Sequence, residues 1–250
     1  MSRKREKSMK TKNKTTIEAI VFDAYGTLFD LKTFAREASK THAGKGENLL
    51  EIVRRKQLEY IWTRSLFGKY VDFATITKDA IRFGLESLNI PQSPDEMEKL
   101  YLVFLHLDPF DDVEAALADL DEANARVAIL SNGTQEMLDA VIQNADLDLL
   151  SEEVISVEGA KTYKPDPKAY QHALTHLEIF EKSRILYVSG NTWDVAGAKA
   201  FGFKVAWVNR TGQPSFDANL QQWRPDYELS SLRELVNLFE ERDTGNLTAP

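Results

Sequence analysis

Four groups of chemically able side chains stand at the ends of short apolar runs. Asp23 closes IEAIVFD (17–23), and RVAILSN (126–132) ends in Ser131 and Asn132 with Gly133 next. Lys161 and Lys164, the latter within YKPDP, follow EVISV (153–157). RILYVSG (184–190) leads into Ser189, Gly190, Asn191, Thr192, Trp193 and Asp194. In chain order these supply a carboxylate, a hydroxyl–amide pair, an ammonium and a second hydroxyl–amide–carboxylate set. There is no cysteine, which removes disulfides, thiolate metal sites, iron–sulfur clusters and thiol nucleophiles.

The elements that must position these groups follow from the apolar pattern. The runs above, with KVAWVN (204–209), are β-branched and apolar with little polar alternation, as strands buried on both faces of a parallel sheet are. Helix-like stretches lie between most of them: 113–123, 134–144, 166–177 and 194–202. Strand then helix, repeated, predicts an α/β fold with a doubly wound, Rossmann-like parallel sheet. In such a sheet ligands bind beyond the carboxyl ends of the strands. All four chemical groups therefore fall on one rim.

One gap breaks the rhythm. About ninety residues separate Asp23 from the run at 113, and 48–67, 73–90 and 95–107 within it show helical spacing of apolar residues. Ser93-Pro94 suits a helix start. We read an all-helical lobe over 32–107, inserted into a core of 17–31 and 108–241.

Composition narrows the class. The 250 residues are 43% hydrophobic and 28% charged, with a net charge of −8, as an ordinary globular chain has. Residues 1–16 hold seven Lys/Arg and one Glu, a local +6 that leaves −14 on the rest. So acidic a body offers nucleic acid no electrostatic footprint. The basic head reads as a disordered leader and 242–250 as a flexible tail. No apolar stretch approaches the roughly 18 residues of a membrane span, and no secretory signal follows the head, so the expectation is a cytoplasmic protein.

DAYGTLFD, LSNG, YKPDPKAY and VSGNTWDVAGAKAFGFKVAWVNRTG resemble the four ordered motifs of the haloacid dehalogenase superfamily. The wording is most similar to its L-2-haloacid dehalogenases. The likeness extends into the lobe at RRKQLEYIWTRSL (54–66) and YVDFATITKDAIRF (70–83). It implies a Rossmann-like core with an inserted helical cap domain, no cofactor, no metal, a small 2-haloacid substrate and a homodimer.

The resemblance also implies roles. Asp23 would attack C2 of a 2-haloalkanoic acid and invert it, forming an ester that water then hydrolyses at the Asp23 carbonyl carbon. Asp194 would help activate that water, with Ser189 and Asn191 aligning it. Lys164 would place positive charge beside Asp23, and Thr27 would hydrogen-bond in the same cluster. Ser131 and the backbone N–H groups after Asp23, beginning with Ala24, would hold the substrate carboxylate. Arg54 and Asn132 would receive the halide. Tyr25, Leu58, Phe73 and Trp193 would wall out water, and Tyr170 would stand beside the site on the substrate side. Two positions depart from the pattern: Arg55 in place of a glutamine, expected to alter pocket charge, and Gly190 in place of a second serine, expected to be tolerated.

The rival enzyme is a phosphatase of the same superfamily. It uses a second aspartate two residues after the first as leaving-group acid, and Mg²⁺ with several oxygen ligands. Here that position is Tyr25, and Asn191 stands where an acidic metal ligand belongs. A halide leaves as a stable anion and needs neither. A non-catalytic binding protein on this fold is the third reading, opposed by the intact Asp23, Lys164 and Asp194. His172 and His176 lie four apart, but without an HExxH glutamate or a third ligand they make no metal site. His42 and His106 read as surface or lobe residues. Taken singly, each site residue has a plainer reading: a turn for Asp23, an N-cap for Ser131-Asn132, core for Trp193 and Phe73, a surface pair with Glu51 for Arg54 and Arg55.

Overall fold

In the computed structural model, residues 16–150 and 152–238 are described. The expectations for the basic head up to residue 15 and for the tail from 242 lie outside them. Six strands form one parallel sheet in the order β3-β2-β1-β4-β5-β6. They are β1 (Ala19–Phe22), β2 (Val127–Ser131), β3 (Val154–Ser156), β4 (Ile185–Ser189), β5 (Lys204–Val208) and β6 (Tyr227–Leu229). Every residue of β1 and β4 is buried, because helices cover both faces and leave no solvent side to call for polar alternation.

The order reverses between β1 and β4. β2 and β3 extend the sheet to one side of β1, whereas β4, β5 and β6 extend it to the other. The crevice at that reversal is where doubly wound sheets bind ligands. Phe22 is in register with Val188 and with Ile129, so Asp23 leaves β1 level with Ser189.

Between β1 and the next core helix the chain makes four helices: α1 (Lys32–Thr41), α2 (Gly46–Phe67), α3 (Phe73–Ser87) and α4 (Pro94–Val103). The predicted segments at 48–67, 73–90 and 95–107 correspond to α2, α3 and α4; α1 is additional. Leu49, Val53, Gln57 and Ile61 form the buried stripe of α2 at intervals of four, the spacing that keeps one helix face against its neighbours. Asp72 and Ser93 cap α3 and α4 by accepting backbone N–H bonds. The two connections to the core run side by side, Asp30 N–H donating to Asp108 and Phe110 N–H to Leu28. The core helices are α5 (Val113–Glu122), α6 (Gln135–Asn144), α7 (Pro167–Leu177) and α8 (Thr192–Phe201).

Candidate active site

β1 delivers Asp23, which is 4% exposed. The chain then turns sharply through Gly26 at φ +83°, a left-handed conformation that L side chains rarely hold. The turn returns Thr27, whose hydroxyl donates to Asp23 Oδ2 at 2.8 Å. That direction is enforced, because Thr27 Oγ1 already accepts the Gly190 N–H at 2.9 Å. A Cβ at Gly190 would lie 2.6 Å from the Gly26 carbonyl. The backbone passes too closely here for a side chain, so glycine is the residue that fits at this departure from the family pattern.

The loop after β3 brings in Lys164, which is fully buried. Its ammonium donates to Asp23 Oδ1 at 2.7 Å and Asp194 Oδ2 at 2.8 Å, and also bonds the Leu130 carbonyl and the Tyr187 hydroxyl. Burial pulls the Lys164 pKa down, but the charges of Asp194 and Asp23 outweigh it and the net shift is upward. Lys164 therefore stays a cation. Asn132 holds this loop by accepting the Lys164 backbone N–H at 2.9 Å. Lys161 is not part of the cluster; its ammonium lies over the Tyr70 ring.

β4 and α8 complete the floor. The Ser189 hydroxyl lies between the two carboxylates, 3.4 Å from Asp23 Oδ2 and 3.3 Å from Asp194 Oδ2. Asn191 donates its side-chain N–H to Asp23 Oδ2 at 2.8 Å and to the Tyr25 carbonyl at 3.0 Å. Asp194 is fully buried, and burial raises its pKa even though Lys164 opposes the shift.

Tyr170 and Tyr187 finish the Asp194 shell. The Tyr170 hydroxyl donates to Oδ1 and the Tyr187 hydroxyl to Oδ2, both at 2.8 Å. Tyr170 thus lies behind Asp194 and away from the cavity, not on the substrate side where the resemblance put it. Tyr187 went unnoticed in the sequence. Its only signal is position, two residues before Ser189 on β4 and hence on the same face of the sheet.

The lobe closes the site from above. On α2, Arg54, Leu58 and Ile61 face the same cavity as Asp23, at the i, i+4, i+7 spacing of one helix face. Tyr25, Phe73 and Trp193 supply its aromatic walls, and Ser131, Asn132 and Asn191 its polar ones. Arg54 donates to Gln57 Oε1 at 2.9 Å, and Gln57 in turn donates to the Thr77 hydroxyl at 2.8 Å. Gln57 and Thr77 are both fully buried, and neither was singled out from the sequence. Burial lowers the Arg54 pKa while the Asp23 charge opposes it. Arg55 points away, exposed and 3.5 Å from Glu51, so the expected change in pocket charge is not found.

One ammonium between two carboxylates leaves a single negative charge, which the Arg54 cation balances. The arrangement also speaks against a divalent cation. Asn191 stands beside Asp23 with an amide N–H donating to it, where a metal site would need a further oxygen ligand. Among the described residues no group of three His, Cys, Asp or Glu side chains is placed to hold a metal.

The haloacid dehalogenase-like hydrolase family matches residues 17–202. An (S)-2-haloacid dehalogenase of Pseudomonas sp. (strain YL) is 40% identical over 224 residues, covering 90% of this chain and 95% of that protein. Haloacetate dehalogenase H-2 of Moraxella sp. (strain B) is 39% identical, covering 89% and 98%. The L-2-haloacid dehalogenase of Xanthobacter autotrophicus, solved with chloropropionic acid covalently bound, superposes with a TM-score of 0.81 at 34% identity over 90% of this chain and 99% of that one.

Proposed function

The chain belongs to the haloacid dehalogenase-like hydrolases, and from that premise we propose that it is an (S)-2-haloacid dehalogenase. It would convert L-2-haloalkanoic acids to D-2-hydroxy acids and halide through an ester on Asp23. As a member of that group it is a hydrolase of carbon–halide bonds, the activity its relatives at 35–40% identity are named for. The helical lobe over 32–107 is, in this reading, a cap domain over the core.

The observation that carries the reading is the unequal dress of the two Asp23 oxygens. Among the described residues, Oδ2 accepts from Thr27, Asn191 and, at longer range, Ser189, whereas Oδ1 accepts only from Lys164. Oδ1 keeps a free lone pair and is the attacking atom. It displaces the halide from C2 with inversion, and the carbon–halogen electron pair departs with the halide toward Arg54 and Asn132. The substrate carboxylate is held by Ser131 and the N–H groups from Ala24 onward. Leu58, Phe73, Tyr25 and Trp193 exclude water during this step.

Hydrolysis then uses the other half of the carboxyl group. Oδ2 has become the ester carbonyl, and water adding to the Asp23 carbonyl carbon places negative charge on it. Thr27 and Asn191 already donate there, which makes them a preorganised oxyanion hole. Asp194 has its oxygens filled by Lys164, Tyr187 and Tyr170, so a proton from the water reaches it through the intervening Ser189 hydroxyl. Lys164, beside Oδ1, protonates the oxygen that leaves with the hydroxy acid and is reprotonated by the proton taken up at Asp194, while the second proton of the water leaves the new Asp23 carboxyl group for solvent and restores the carboxylate.

The direct test is halide release from chloroacetate or L-2-chloropropionate with EDTA present. Absence of halide, together with Mg²⁺-dependent release of phosphate from a phosphomonoester, would overturn the proposal. We also propose a homodimer joined through the lobe and the adjoining core. The end of α2 supports it by leaving Leu66 84% and Phe67 71% exposed. Light scattering on the purified protein decides this point.

A further inference from the structure

Trp193 stands between two cavities. On one side it walls the reaction chamber that holds Asp23 and Arg54. On the other it faces an open cleft of about 490 Å³ between the lobe and α8. The partition is thin. Ile61 of α2 points into the chamber and the next residue, Trp62, into the cleft. Trp62 meets Trp193 edge to face, with ring centroids 5.9 Å apart.

The cleft's chemistry differs from the chamber's. Trp62, Trp193 and Trp223 line it with Phe201 and Leu220, and small residues of α8 such as Ala200 keep its floor low. Among the described residues no charged side chain lines it, so neither an anion nor a cation finds a partner among them. A hydrocarbon chain does. The chamber, by contrast, offers the charged and polar groups for a carboxylate and a halide, Arg54 with Ser131 and Asn132.

We propose that the cleft is an alkyl-chain subsite. It receives the chain on C2 of a medium-chain 2-haloacid, which passes Trp193 while the carboxylate and halogen stay in the chamber. The inference rests on the dehalogenation reading and extends it to a substrate class.

The test is a series of 2-bromoalkanoates from propanoate through hexanoate to decanoate, with bromide release measured on wild type and on Ala200→Trp, which fills the cleft at its open end. In the wild type kcat/KM rises along the series, by at most about fourfold per methylene buried. In Ala200→Trp the rise is lost while 2-bromopropanoate, whose methyl group stays in the chamber, turns over as before. Turnover of 2-bromopropanoate with a flat or falling series that Ala200→Trp leaves unchanged overturns the subsite and leaves dehalogenation standing. If no bromide appears from any member, dehalogenation falls. Decanoate, which carries no halogen, then decides the cleft. Three of the four tryptophans line it, so a saturable fluorescence change that Ala200→Trp abolishes supports the subsite and its absence overturns it. Conversion of a dimer to a monomer by Ala200→Trp would make the cleft an interface between copies and would also overturn it.

Discussion

The Lys164 ammonium lies 2.7 Å from Asp23 Oδ1, joining two residues 141 positions apart in the chain, both of them buried. The same ammonium holds Asp194 at 2.8 Å. It is the one group that neutralises both carboxylates at once, which makes it structural and chemical together.

Lys164→Met should therefore fail in two ways. It leaves two buried carboxylates facing each other without a cation, a loss of about 3–5 kcal/mol when one partner of a buried pair is removed. It also removes the proton donor beside Oδ1. Thermal unfolding should shift downward and halide release should fall by roughly a thousandfold or more, the ~4 kcal/mol scale of a lost transition-state partner. Lys164→Arg should not restore activity, because a planar guanidinium cannot replace a compact ammonium with four partners.

Gln57 positions Arg54 and touches nothing that reacts. Its carbonyl accepts from Arg54 and its N–H bonds fix it on Thr77. Gln57→Met keeps the volume but frees the guanidinium, and should lower kcat about tenfold to a hundredfold, about 1.4–2.7 kcal/mol. Chloride as a product inhibitor separates this from general damage. Its inhibition constant should rise in Gln57→Met while the circular dichroism spectrum stays that of the wild type.

The tyrosines around Asp194 give the pH dependence a sign. Burial, with the Asp194 charge, lifts the Tyr170 and Tyr187 pKa values well above 10. Both remain neutral donors through the weakly alkaline range and impose no alkaline limit there. Burial also raises Asp194 above its ordinary 3.8. On acidification its ionised form is thus lost earlier than that of a solvent-exposed aspartate, and ester hydrolysis should slow on the acid side. Rapid quenching followed by mass spectrometry of the intact protein should find more Asp23 ester as the pH falls. Tyr187→Phe removes a donor from Asp194 Oδ2 and should lower stability by about 1.5–3 kcal/mol, the worth of a hydrogen bond to a charged group.

How much of this was legible in the sequence depends on what kind of signal each part leaves. Asp23, Ser131, Lys164, Ser189 and Asp194 sit at or just beyond strand ends, and the buried β-branched runs that precede them are visible as patterns. The strand at Tyr227–Leu229 is three residues long with one residue exposed, too short for a periodicity to register. α1 buries Phe34 with only Thr33, Ala35 and Ala38 for company, so its apolar face is weak. Gln57 and Tyr187 lie at positions whose spacing marks them as core. Gln57 also bonds Thr77, 20 residues away, and Tyr187 also bonds Lys164, 23 residues away, and no local pattern encodes such partners. Tyr170 was placed on the wrong side of Asp194 for a related reason: the resemblance conveys that a residue is near a site, but not which face of a carboxylate it meets.

The central claim is that Asp23 Oδ1 becomes the oxygen of the product, and one turnover in ¹⁸O-enriched water tests it most directly. With enzyme in excess over L-2-chloropropionate, the account gives lactate carrying unlabelled oxygen at C2 and an Asp23 side chain carrying ¹⁸O. Label found directly in the hydroxyl group of that first lactate, with Asp23 unlabelled, would mean that water attacked the carbon itself and would contradict the ester mechanism.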